Sequence, residues 1–191
     1  MRADFVNTRR LTTLAMLAAL SIVFVWLIHF PIFPAAPYLE YDPADIPIMI
    51  GTFAFGPLAG LLITVVASVI QGLTVSSGSG LYGIIMHIVA TGTFVLVAGN
   101  LYRIRKTRAR AAVALVCGVL AMAAVMAVAN LIVTPLFTGM PVSAVKNLLL
   151  PIIIPFNLIK AGANAAITFV LYKSVSRFIK GRAHDEEVVA R

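Results

Sequence analysis

Apolar and polar positions alternate in long blocks, and six apolar stretches can be told apart. Leu11 to Phe30 is apolar almost throughout, and a helix of about 20 such residues spans a bilayer. Pro31, Pro34 and Pro37 follow too densely for a helix interior. They predict a loop, which carries Tyr38, Glu40, Tyr41 and Asp42. The second stretch is short, Asp45 to Phe55, with Asp45 expected as its N-cap and Pro47 in its first turn. Gly56-Pro57 predicts a tight break. The third stretch runs from Leu58 to Val75 and ends in a flexible turn over residues 76–80. The fourth covers Leu81 to Tyr102, the fifth Ala111 to Thr134 and the sixth Leu148 to Val175. A loop with Pro135, Gly139 and Pro141 separates the last two, and residues 181–191 form a polar, frayed tail. The expectation is an all-α integral membrane protein: one six-helix domain over residues 1–180 and a tail beyond it.

Composition supports lipid as the solvent. Hydrophobic residues make up 61% of the chain and charged ones 12%, whereas a soluble domain carries about 25% charged residues to wet its surface. Basic residues outnumber acidic ones, 15 to 7. They sit at the N-terminus (Arg2, Arg9, Arg10), between the fourth and fifth stretches (Arg103, Arg105, Lys106, Arg108, Arg110) and at the C-terminal end (Lys173, Arg177, Lys180, Arg182, Arg191). Six spans bring all three groups to one side, which the positive-inside rule makes cytoplasmic, with both termini. Basic charge is thereby explained without nucleic acid, for which no binding fold is visible. Arg9-Arg10 reads as an inside anchor, and the apolar run after it as a retained helix rather than a secretion signal. Cys117 stands alone and reads as a small hydrophobe.

Lys160 lies inside the sixth stretch, where a lysine near the helix centre costs on the order of 3 kcal/mol to insert. It belongs to a set, because Asn157, Lys160, Asn164 and Thr168 share one helical face. Such a polar stripe implies a liganded cavity or polar helix contacts. Asn130 and Thr134 repeat the pattern on the fifth stretch, towards the same outer side. Amides, one ammonium and apolar walls suit a flat, partly polar small molecule. His29 is expected at the interface; His87 is either a helix contact or a pocket wall. No metal-ligand spacing, nucleophile elbow or P-loop is present. If the activity of this chain is driven by ATP, the nucleotide is handled by another polypeptide.

The run from Pro37 to Pro47 resembles the first-loop signature of riboflavin-specific S components of energy-coupling factor (ECF) transporters. Its core is similar to D-P-S-D-I-P, with Ala44 in place of the small polar residue. Phe53-Ala54-Phe55-Gly56-Pro57-Leu58-Ala59-Gly60 resembles the family's F-x-x-G-P-x-x-G turn, and the sixth-stretch segment Pro155 to Lys160 is the other match. The resemblance covers about residues 10–178. It implies a multi-pass protein of a prokaryotic cell membrane that is not an enzyme and has no catalytic cofactor. It implies riboflavin as ligand, with FMN as the alternative flavin, bound by Asn130, Asn157 and Lys160. Tyr38, Leu39, Glu40, Tyr41 and Asp45 of the covering loop, with His87 and Asn164, complete the expected ligand-binding set; Phe33, Tyr38 and Tyr41 are candidates to stack on the ring. Ala15 and Ala19 match an A-x-x-x-A face for the membrane coupling subunit, which works with two ATPase subunits. An S component for another vitamin, and a scaffold without a small ligand, are the competing readings.

Overall fold

The computed structural model describes residues 8–189, with side chains beyond Tyr172 described only for Ser174. Arg2, Ala190 and Arg191 therefore lie outside the described residues. Helix α1 (Thr8–Leu27) leads into a loop whose two short strands, β1 (Phe30–Pro31) and β2 (Glu40–Tyr41), pair antiparallel. Helices α2 (Asp45–Phe55) and α3 (Pro57–Leu73) follow. A 3₁₀ turn (Ser77–Ser79) opens α4 (Gly80–Ile104), and α5 (Arg108–Thr138) comes next. Short α6 (Val142–Leu148) and a π-helical turn (Leu149–Ile153) lead into α7 (Ile154–Val189).

The six expected helices are therefore found, with shifted ends. The first stops at Leu27, because the chain beyond it turns back to pair Phe30 with Tyr41. The fifth runs on to Thr138 through Pro135 and closes on Gly139 in the left-handed region. The segment expected as a polar tail continues α7 to Val189.

Among the described residues, four apolar stretches are long enough to cross a membrane: α1, Ser77–Ile104, α5 and Val142–Tyr172. The other two helices are shorter. Helix α2 has 11 residues, about 16 Å at 1.5 Å per residue. It is apolar on all sides, and every residue from Asp45 to Ala54 is buried. It forms the centre of the bundle, touching α1, α3, α4 and α7. A helix hydrophobic all round is one that protein encloses. Gly56, at φ 98°, reverses the chain into α3, a conformation that favours glycine.

The main core lies between the helices, around Met49, Ile63, Phe94 and Met122. Gly118 lets α5 approach α4 closely, since a Cβ there would meet the Phe94 ring. Phe53, Tyr102 and Tyr172 close the end of the bundle near Gly56, with ring centroids 4.3–5.8 Å apart. A second, smaller core sits at the other end. There Ala36 and Leu39 of the first loop pack on Val145, Ile152, Ile153 and Phe156.

A buried polar layer beneath the first loop

The polar stripe of the sixth stretch faces inward. Asn157, Lys160, Asn164 and Thr168 are all buried on α7. The Lys160 ammonium donates to Asp42 Oδ2 at 2.6 Å and to the Glu40 carbonyl at 3.2 Å. This explains how a cation is tolerated so deep: a buried charge needs a partner and hydrogen bonds. Asn164 Nδ2 donates to the Asp42 carbonyl and to Asp45 Oδ2, both at 3.0 Å, and its Oδ1 accepts from the Tyr41 hydroxyl at 3.2 Å. Asp45 Oδ1 accepts from Thr91 of α4 at 2.6 Å.

These contacts correct the expected cap. Asp45 is the first residue of α2 and leaves the backbone uncapped, turning its carboxylate to α4 and α7 instead. The turn into α2 is tied by Asp42, whose Oδ1 accepts from the Ala44 N–H at 3.0 Å. Burial pushes the Asp42 carboxyl up. The adjacent Lys160 ammonium, His87 and the Ala44 N–H outweigh burial and hold it below its ordinary 3.8.

Above this layer lies a cavity of about 410 Å³ at the end of the bundle away from the basic 103–110 loop. Its walls come from the first loop, α3, the 76–79 turn, α4, α5 and the start of α7. Of the expected ligand-binding residues, Tyr38, Leu39, Glu40, His87, Asn130, Asn157 and Lys160 line it. Tyr41, Asp45 and Asn164 stand behind the wall, as the bracing under Asp42 and Lys160. Asn130 is oriented from both sides, donating to the Met126 carbonyl and accepting from Thr134, each at 2.8 Å. Asn157 donates to the Ile153 carbonyl in the π turn at 2.8 Å. Both amides keep hydrogen-bonding capacity for the cavity. His29 also reaches the wall. Tyr38 packs edge-on against Phe137, 6.5 Å between centroids, and Phe137 against Tyr82 at 5.7 Å. Phe33 packs into the smaller core, and Tyr41 pairs with Phe30.

Sequence reasoning passed over Asp42, Ser68 and Gln71 as site residues. A signal existed for each. Thr64, Ser68 and Gln71 follow Gly60 at helical spacing on an otherwise apolar α3. Asp42 is one of a few acids available to neutralise Lys160.

On α1, Ala15 and Ala19 are exposed, on the side away from buried Leu14, Leu17 and Ala18. They make no part of the cavity.

Known proteins match this architecture. A family model described as "ECF transporter, substrate-specific component" matches residues 9–172. The chain is 30% identical over 180 residues to the riboflavin transporter RibU of Staphylococcus aureus (strain TCH60), covering 91% of this chain and 94% of that one. It is 30% identical over 163 residues to the riboflavin transporter FmnP of Bacillus subtilis (strain 168), covering 81% and 85%. A solved structure of the S component of a bacterial ECF transporter superposes with a TM-score of 0.78 at 29% identity, over 91% of this chain and 99% of that one. The chain belongs to the substrate-specific components of ECF transporters, which are transport subunits and not enzymes.

Proposed function

We propose that this chain captures riboflavin at the outer face of a prokaryotic cell membrane and delivers it inward as one subunit of an ATP-driven ECF transporter. The observation that carries the reading is the cavity under the first loop. Its volume suits a small-molecule ligand, and it sets two oriented amides, Asn130 and Asn157, beside apolar and aromatic walls. A flavin has apolar ring faces and a pyrimidine edge with both donors and acceptors, which asparagine matches in both senses. Relatives named as riboflavin transporters, similar over most of their length, support the same ligand. FMN shares the ring system and is the alternative flavin.

In this reading six helices are membrane-embedded, with both termini and the basic 103–110 loop cytoplasmic. Tyr38, Leu39, Glu40, His87, Asn130, Asn157 and Lys160 face the ligand. Tyr41, Asp45 and Asn164 hold the loop and Lys160 in position. Ala15 and Ala19 meet the membrane coupling subunit, which acts with two ATPase subunits.

The purified full-length chain tests this by its visible spectrum and by titration of riboflavin fluorescence. Saturable quenching, lost in Asn157→Ala, is the expected result. No quenching by riboflavin, or saturable competition by thiamine or biotin instead, sinks the riboflavin reading. Ala15→Trp is expected to keep binding and abolish uptake in cells.

A further inference from the structure

Between Arg10 and Glu40 the chain carries no Asp, Glu, Lys or Arg. Helix α1 uses only part of this uncharged run and ends at Leu27. The residues around and just past its end expose large apolar side chains. Trp26 is 69% exposed, Leu27 62%, Ile28 45% and Phe30 50%. A contiguous exposed apolar patch of this kind marks a contact with a partner or a membrane. Neither Trp26 nor Leu27 lines the cavity, so the ligand does not account for them.

Distance along the helix says what the patch meets. Arg10 lies in the first turn and Trp26 is 16 residues on, about 24 Å at 1.5 Å per residue. With Arg10 reaching the cytoplasmic headgroups, Trp26 comes to the outer edge of a hydrocarbon layer about 30 Å thick. Tryptophan favours that depth, because its ring is apolar and its N–H seeks a polar partner. Trp26 shares the exposed face of Ala15 and Ala19, but it lies seven residues beyond Ala19, about 10 Å further out. Phe30, just past the helix, belongs to the cover as well. Its backbone pairs with Tyr41, and the two rings are 5.4 Å apart. Tyr41 in turn reaches Asn164, and the Glu40 carbonyl reaches Lys160. Strand β1 is thus the short link between the exposed end of α1 and the β2 residues held on the buried polar layer.

We infer that Trp26, Leu27 and Phe30 anchor in the outer leaflet of the membrane, where acyl chains meet headgroups, and that this anchor holds β1, and through it the first loop, over the cavity. The inference rests on the orientation and function proposed above. Strand β2 lifts together with β1 only if Phe30 leaves the lipid, and lifts alone only if the pairing of the two strands breaks. Lipid therefore holds one edge of the cover, and Lys160 and Asn164 hold the other.

Trp26 is the single tryptophan of the chain, so its fluorescence reports this one position. The full-length chain, free of flavin, is placed in phosphatidylcholine vesicles brominated either near the headgroup or near the end of the acyl chain. Stronger quenching by the shallow bromines is the expected result. Stronger quenching by the deep ones, or quenching by aqueous acrylamide alone, would overturn the anchor. The hold on the cover is read from riboflavin release in unbrominated vesicles, followed by flavin fluorescence. Trp26→Ser is expected to release about tenfold faster, the effect of roughly 1.4 kcal/mol of lost anchoring, and Trp26→Phe at close to the unaltered rate. Unchanged release in Trp26→Ser would overturn the link between lipid and cover. If that variant fails to fold, Leu27→Ser takes its place with the same expectation. Depth is measured without ligand, so the two readings fail separately. An anchored chain that binds no riboflavin counts against the function proposed above, and a chain that binds riboflavin with its tryptophan in water counts against the anchor.

Discussion

The core between the helices and the smaller core under the first loop differ in what closes them. The first is built from long helices that bring a residue from every turn, with α2 enclosed on all sides. The second has six buried apolar residues, two of them from a loop without helical hydrogen bonds of its own. What the loop lacks in apolar area it recovers in polar ties, from Asp42 and Glu40 to Lys160 and from Tyr41, Asp42 and Asp45 to Asn164. Polar ties of this kind are directional and few. Losing one frees a segment, whereas losing one apolar contact in the main core only thins it. The comparison separates a scaffold from a cover, and it predicts that the two respond to mutation through different observables.

The largest effect should come from Lys160→Met. It leaves Asp42 buried without its cation, a loss of about 3–5 kcal/mol. Thermal melts in detergent should show it, together with loss of riboflavin quenching. Asp42→Asn on top should restore much of the melting temperature and little of the binding. If Lys160→Met melts like the unaltered protein, the ion pair is not what holds the loop.

Ile63→Ala opens a hole in the main core, next to α2. It should cost about 3 kcal/mol and lower the melting temperature, while riboflavin dissociation at low temperature stays close to the unaltered rate. Val145→Ala, in the small core, should do the reverse. About 1.5 kcal/mol is lost with its two methyl groups, and it should appear as riboflavin release about tenfold faster, with the main melting transition nearly in place. Stopped-flow release and melting curves on the two variants test the division directly. If both move the same observable, scaffold and cover are one cooperative unit. The smallest effect is expected of Tyr41→Phe. It removes one hydrogen bond to Asn164, worth about 1 kcal/mol, and should speed release only severalfold.

The helices could be read from the chain because an apolar run in a membrane protein has few other ways to satisfy its backbone. The inward face of α7 could be read for a related reason: four polar residues at helical spacing must face something other than lipid. Three features were not legible. Asp42 and Lys160 are 118 residues apart in sequence, and residue spacing within one helix says nothing about a partner on another. Asp45 matched the local preference for a cap, but tertiary contacts with Thr91 and Asn164 took its carboxylate. The π turn before α7, which contains Pro151 and supplies the carbonyl that holds Asn157, has no simple sequence pattern of its own.

The central position of α2 has a consequence for how the protein is made. It begins at Asp45, with Asp42 three residues earlier in the first loop, and the partners of these two acids, Asn164 and Lys160, lie on α7. During synthesis those acids are translated long before α7 leaves the ribosome, and a helix of 11 residues is too short to settle across the bilayer alone. The first loop and α2 must therefore wait in an unfinished state, with carboxylates facing water or the insertion machinery, until the last helix arrives. Assembly of this subunit is completed from its C-terminal end, and a chain cut before α7 would leave those two acids without Lys160 and Asn164.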